Sequence, residues 1–362
     1  MQGRGQSGGF LDLVILSTSD GKGTVAFARA GSDLAIGQVA IGAALGNISK
    51  FQTRIINALL GLEQRPSRSE LSKFGMDLFR VAIQNDLERL YQRLPSKSVS
   101  VHIVSDCPAV RTLAWEYIQE PDQIPGPSKR CIVRIIPTIG ISVLEPRRLG
   151  NKIRVAFVSA DPMDQDPVSW AEVKGSIERT FASRVPESFQ VEAIEGTDRS
   201  QLLDTLRDVQ PDIFHFSGHG VVRNGKGYLV LINRKTKKSD YITAEDLAVA
   251  LAGRGIRLAI LSACQTSAGT REESFSSVAE SLVRGGIPAV VGNQFSIPDS
   301  SVAIFVGALY RELLTSGNID VAVSEGRIAL AVHLGDFGDS AVLEWGIPTL
   351  YRVYGGEQVY EP

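Results

Sequence analysis

The chain has 362 residues, 43% of them hydrophobic and 22% charged. That is ordinary globular composition; it excludes long disorder and suggests two domains or one large domain of two halves. With 38 Lys and Arg against 40 Asp and Glu, the net charge of −2 excludes a nucleic-acid or anionic-membrane binder acting through bulk charge. Cys107, Cys131 and Cys264 are odd in number and widely spaced, so they form neither a disulfide framework nor a C-x-x-C zinc knuckle. Free thiols point to a reducing compartment. The N-terminus, MQGRGQSGGF, lacks the apolar core of a signal peptide, and no run of about 18 apolar residues exists. A soluble cytoplasmic protein is expected, with no membrane and no nucleic-acid partner.

In chain order, residues 1–10 are rich in Gly, Ser and Gln and are expected to fray. LDLVILSTS (11–19) has the apolar content of a strand, and residues 21–65 carry no decisive pattern. From Glu70 onward, Leu71, Phe74, Leu78, Ala82, Leu87, Leu90 and Leu94 recur at three- to five-residue intervals, which predicts one helix closed by Pro95. Strands are predicted over 98–105 and 131–138, a short helix carrying Trp115 over 107–119, and a Pro/Gly loop over 121–127. Pro146 to Gly150 is the expected junction between a half at 1–150 and a half at 151–362.

The second half is regular. Strands are predicted over 152–160, 189–196, 212–218, 227–234, 256–264, 288–295 and 350–355. Helices are predicted over 170–181, 200–209 with Ser200 as N-cap, 244–253 capped by Thr243, 274–284 ended by Gly285-Gly286, 299–315 and 320–332. An acidic loop, DPMDQDP (161–167), follows the first of these strands, and a basic loop, KTKKSD (235–240), follows the fourth. The alternation predicts an α/β fold, a mostly parallel sheet flanked by helices on both faces.

In such a sheet ligands bind beyond the carboxyl ends of the strands. Two reactive side chains are expected there: His219 inside Gly218-His219-Gly220, and Cys264 at the end of IRLAILSAC. Successive strands are usually neighbours, which would bring thiol and imidazole to one rim. A thiol of ordinary pKa about 8.5 is mostly protonated at neutral pH, and an adjacent imidazole that takes its proton yields a thiolate nucleophile. Acyl transfer also needs N–H donors for the oxyanion, and the backbone amides of Gly220 and Cys264 are the candidates. Taken singly, a Cys at a strand end is usually packing and a His in a turn is usually solvated. The pair at two strand ends favours catalysis.

The segments HFSGHG (215–220), LAILSACQTSAG (258–269) and AESLVRGGIPAVVGNQFSIPDS (279–300) resemble the CHAT domain family, caspase-like cysteine peptidases related to separase. KFGMDLFRVAI (73–83), LAWEYIQEP (113–121) and RCIVRIIPT (130–138) resemble the family's N-terminal, pseudo-caspase-like half, and WGIPTLYRVYG (345–355) its terminal strand. The resemblance implies a caspase-like catalytic half from residue 151, a related non-catalytic half before it, and no cofactor or metal. His219 would be general base and acid, Cys264 the nucleophile, and a protein substrate would be cleaved through a thioester. The family's pocket for the residue before the scissile bond lies on loops after neighbouring strands. Here those supply Asp161, Ser262, Phe295 and Asp299. Asp161, Asp164 and Asp166 offer charge to a basic side chain, while Ser300, Ser301 and Ala303 stand where separase-like relatives carry further acids, so a small or hydrophobic preference stays open. CHAT peptidases are regulated, often by a partner, and in bacteria are linked to defence; a regulatory protein partner is implied on that ground.

Two other readings of the same residues are a catalytically silent scaffold binding a partner in the cleft and a thiol hydrolase or acyltransferase on a non-peptide substrate. Gly220 to Lys226 reads G-x-x-x-x-G-K, but Gly227 and a strand follow where a P-loop needs Ser or Thr and a helix. His215 and His219, four apart on a strand, are not a helical zinc pair, and His215 reads as a supporting residue. His102 and His333 read as core, the three tryptophans as packing anchors, and the KTKK run as a solvated loop.

Overall fold

The near-continuous Val, Ile and Leu runs become strands covered on both faces, because only a sheet between two helical layers buries both sides of such a run. A computed structural model describes the chain except residues 1–8, 18–23, 31–32, 40, 95–98, 122, 124–125, 129, 139–144, 149–151, 185–188, 266–275, 336–339, 341 and 362. The first elements are β1 (Gly9–Ser17), β2 (Thr24–Ala30), β3 (Asp33–Val39), α1 (Ile41–Leu59), α2 (Arg68–Ala82) and α3 (Asp86–Arg93). Next come β4 (Val99–Ser105), α4 (Pro108–Arg111), a 3-10 turn (Trp115–Tyr117), β5 (Cys131–Ile135) and the short β6 (Arg147–Arg148). Then follow β7 (Ile153–Ser159), α5 (Trp170–Arg184), β8 (Phe189–Ile194), α6 (Arg199–Val209), β9 (Ile213–Arg223), β10 (Lys226–Ile232), β11 (Ser239–Thr243) and α7 (Ala244–Leu251). The chain ends with β12 (Leu258–Gln265), α8 (Ser276–Arg284), β13 (Ala289–Asn293), α9 (Asp299–Ser316), α10 (Ile319–His333), β14 (Pro348–Arg352) and β15 (Tyr360–Glu361).

One mostly parallel sheet runs through the described residues in the order β11-β10-β9-β12-β13-β14-β5-β4-β1-β2-β3, with β7 and β8 branching from β9. Its interior pairs are parallel except β13 with β14, which is antiparallel, and its outer strands are antiparallel hairpins. β14 lies between β13 and β5, so strands from both sides of residue 150 share the sheet. Strand alternation sorts the core into two layers. Ile213 and Ile260 face the cluster built with α5, α9 and α10, while Phe214, Phe216 and Leu261 face the cluster built with α6, α7 and α8.

Local structure departs from expectation at particular residues. The helix expected over 70–94 is two helices. Ser67 opens α2 with a capping box to Glu70, and the chain breaks at Ile83 and Asn85, the latter at φ 51°. Thr24–Ala30 and Asp33–Val39 pair as antiparallel strands and Ile41–Leu59 is a helix. Asp198, in a capping box with Gln201, caps α6 in place of Ser200. His333 is exposed in the last turn of α10, where a helix C-terminus favours positive charge.

His102 belongs to a buried charge network. Arg352, 2% exposed, donates from Nε and Nη2 to the Asp320 carboxylate at 2.9 and 2.8 Å and from Nη2 to His102 Nε2 at 2.8 Å. That leaves His102 Nδ1–H to donate to Asp12 at 2.8 Å, while Ser100 donates to Asp320. β1, β4, α10 and β14 are thereby tied through one guanidinium. Arg352→Ala leaves the buried Asp320 carboxylate without its cation, and a loss of about 3–5 kcal/mol is expected by urea unfolding; a change under about 1 kcal/mol, of the size seen at surface pairs, contradicts the role given to this residue.

Candidate active site

β9 changes neighbour part-way along its length. Its Ile213–Ser217 segment pairs parallel with β7, and its His219–Arg223 segment pairs antiparallel with β10 on the same edge. The other edge stays with β12 throughout, from Ile213↔Leu258 to Gly220↔Gln265. The strand expected to end at Gly218 therefore continues to Arg223, and His219 lies inside it, at the first position paired with β10. Gly218 marks the changeover. The Ala160 N–H donates to the Ser217 carbonyl at 3.1 Å, and a Cβ on residue 218 would meet the Ala160 carbonyl oxygen at 2.8 Å. Where β7 ends, the chain continues into the loop 161–169, which runs past His219.

The register of β9 against β12 pairs the Cα of His219 with that of Cys264. By strand alternation both positions fall on the face that carries Ile213 and Leu258. The His219 side chain is 4% exposed, and its Nε2 lies 2.8 Å from the carbonyl oxygen of Asp166. A carbonyl only accepts, so Nε2 carries the proton. Nδ1 is then the basic nitrogen of the neutral ring; it is buried and has no hydrogen-bond partner among the described residues. The ring is thus held by its outer nitrogen with its inner nitrogen available for a proton.

Beneath it lies His215, fully buried, with Nε2 2.9 Å from Ser262 Oγ and Nδ1 3.1 Å from the Tyr310 hydroxyl. Ser262 is therefore engaged by a buried imidazole below position 264. Phe295 is packed in the core at 6% exposure. Asp299, in the first turn of α9, accepts from the Ser169 N–H at 2.7 Å, and Asp161 begins the 161–169 loop, partly exposed. Gly220 lies within the ladder between Leu229 of β10 and Gln265 of β12. Of the acidic loop, Asp166 meets His219 through its main-chain carbonyl, and Asp164 accepts from Ser239.

Two features had no sequence signal pointing to them. A main-chain carbonyl such as that of Asp166 carries no side-chain signature. The second is a buried network at the end of β13: Gln294 donates to Glu116 at 2.8 Å and to the Gly346 carbonyl, and accepts from Arg134 at 3.1 Å. Arg134 in turn pairs with Glu116 at 2.7 Å. Next to it, Asn293 donates to the Ala263 carbonyl at 3.5 Å, one residue before Cys264. The G-x-x-x-x-G-K match is the β9–β10 hairpin, with Asn224 and Gly225 at φ 53° and 72° as its two turn residues. Among the described residues no group of three or more His, Cys, Asp or Glu converges as a metal site, and no helix is long and apolar enough to cross a membrane.

The CHAT domain model matches residues 72–339. Among solved structures, the chain is similar to separase in a Saccharomyces cerevisiae separase–securin complex, with TM-score 0.52 and 10% identity over 95% of this chain and 30% of that chain. A second structure of the same complex gives TM-score 0.46 with the same identity and coverage. At that identity the likeness is one of fold, and the chain spans 30% of the length of the separase chain it matches. No curated protein sequence matches the chain.

Burial pushes the His215 pKa down to about 3. The unfolded ring titrates near 6.5, so between about pH 6.5 and 3 the unfolded state binds the extra proton. Stability is full above about pH 6.5 and falls as pH drops toward 3. His215→Gln is expected to flatten the pH dependence of the urea unfolding free energy between pH 6 and 4 by up to about 1.4 kcal/mol per pH unit. An unchanged slope contradicts the assignment.

Proposed function

The chain belongs to the CHAT domain family, and from that premise we propose that it is a cysteine endopeptidase acting on a partner protein through Cys264 and His219. The observation that carries this reading is the β9–β12 register, which sets the two Cα positions opposite one another on adjacent parallel strands. The held tautomer of His219 supports it, because a base must present an unprotonated nitrogen.

The chemistry follows. His219 Nδ1 takes the Cys264 thiol proton, and the thiolate attacks the scissile carbonyl carbon, forming a C–S bond and an oxyanion. Backbone N–H groups of Gly220 and Cys264 serve as the oxyanion donors. The C–N bond breaks, and the imidazolium gives its proton to the leaving amine. Water then attacks the thioester while Nδ1 takes one of its protons; the acid product leaves and the thiol is restored. Asp161, Ser262, Phe295 and Asp299 shape the pocket for the residue before the cut. Of these, Phe295 and Ser262 act as walls, since one is in the core and the other is bonded to His215.

Residues 151–362 form the catalytic half and residues 1–150 its non-catalytic counterpart, and the protein works in a reducing, cytoplasmic setting. Activity is controlled by a separate protein chain; the similar separase is in complex with one, securin.

A peptide-library digest read by mass spectrometry tests the reading. Cys264→Ala is expected to abolish cleavage with the melting temperature nearly unchanged, and His219→Ala to slow it by at least about 100-fold. Retained turnover in the Cys264 variant excludes this nucleophile, and a folded wild type that cleaves nothing with or without co-expressed partner proteins favours the silent scaffold.

A further inference from the structure

The loop 161–169 supplies the carbonyl that holds His219, yet it has little packing of its own at its tip, where Met163 is 80% exposed. Hydrogen bonds hold it instead. Ser239, at the start of β11, donates from its N–H and its Oγ to Asp164 Oδ1 at 2.7 and 2.9 Å, and its Oγ accepts from Gln165 Nε2 at 3.0 Å. The Met163 N–H adds a bond to the Lys237 carbonyl at 3.0 Å. At the far end the Ser169 N–H is fixed by Asp299. Asp166 sits between these two attachments. The turn that presents Ser239 is itself shaped by Asn233 Oδ1, which accepts from the Lys235 and Thr236 N–H groups at 3.1 Å each, and by Lys237 at φ 61°.

We propose that Asp164 and Ser239 are positioning residues for His219, fixing the loop so that the Asp166 carbonyl stays within hydrogen-bond reach of Nε2. The inference rests on the reading of His219 as the base. Releasing Asp164 removes two of the loop's bonds to Ser239 and leaves those of Met163 and Gln165 to hold its first part. A shift of about 1 Å at the Asp166 carbonyl takes a bond of normal length beyond the useful range. Nε2 then loses its acceptor, the ring can turn, and its proton is no longer confined to the outer nitrogen. A misplacement of that size at a reacting group costs up to about 100-fold in rate. The basic turn, solvated by its composition, thus acts on the site through the residue that follows it.

The test is the rate of iodoacetamide alkylation at Cys264 at pH 7, resolved by mass spectrometry, in the full chain and its variants, with melting temperatures alongside. His219→Ala is expected to slow alkylation at least about tenfold, and Asp164→Ala to slow it by about tenfold with little change in melting temperature. Asp164→Asn keeps an oxygen that accepts from both Ser239 donors and is expected to recover most of the rate. In the His219→Ala background, Asp164→Ala is expected to have no further effect, because its influence passes through the ring. If Asp164→Ala does not fold, Ser239→Ala is read in the same cycle. A normal rate in Asp164→Ala, or an equal slowing with and without His219, overturns the positioning role while leaving the dyad intact. No effect of His219→Ala overturns the dyad itself.

Discussion

The site depends on the register of one strand against another. β9 and β12 are parallel and hydrogen-bonded over eight paired positions, and the last two pairs are His219 with Cys264 and Gly220 with Gln265. Because side chains alternate with period two, a slip of one residue would send one of the two positions to the opposite face. The slip is opposed along the whole pairing. Ile213, Phe214, Phe216, Leu258, Ile260 and Leu261 are buried in alternating layers, and His215 and Ser262 bond to each other across the strands. Core packing thus fixes the strand positions of His219 and Cys264. A buried polar pair one layer below adds specificity to a match that apolar side chains alone would leave looser.

The first half of the chain contributes through charges. Arg352 on β14 is shared among Asp320, His102 and, through the ring, Asp12. Gln294, just past β13, is shared between Glu116 and Arg134. Both networks are buried, so each charge needs its partner present, and each ties an element near residue 300 or beyond to one before residue 135. The end of β13 and the loop after it, which lead to Phe295 and Asp299, are therefore held by residues far away in sequence. Loop 161–169 is held from the other side, by the β10–β11 turn and the first turn of α9. The loop beside His219 is therefore placed by contacts made outside the two strands that carry His219 and Cys264.

Much of this was legible in the chain and some was not, for physical reasons. The α/β alternation was readable because buried parallel strands need unbroken apolar runs. That His219 and Cys264 stand on neighbouring strands was readable because successive strands of such a sheet usually lie side by side. The end of β9 was misplaced because glycine at 218 suggests a stop, whereas it marks a change of neighbour from β7 to β10, which no local pattern encodes. The break at Asn85 left a trace, the five-residue gap between Ala82 and Leu87, that a helical reading absorbs as noise. The β2–β3 hairpin was hidden by its small residues, which lack strand signature. The Asp166 carbonyl was invisible because main-chain atoms are the same in every residue.

The most direct measurement is the separation between Cys264 Sγ and His219 Nδ1 in a crystal structure of the wild-type chain. A separation within about 4 Å, with Nε2 still bonded to the Asp166 carbonyl, is expected for a nucleophile and its base. A separation beyond roughly 7 Å, or a proton on Nδ1 donated to some other group, contradicts the dyad and with it the hydrolytic reading.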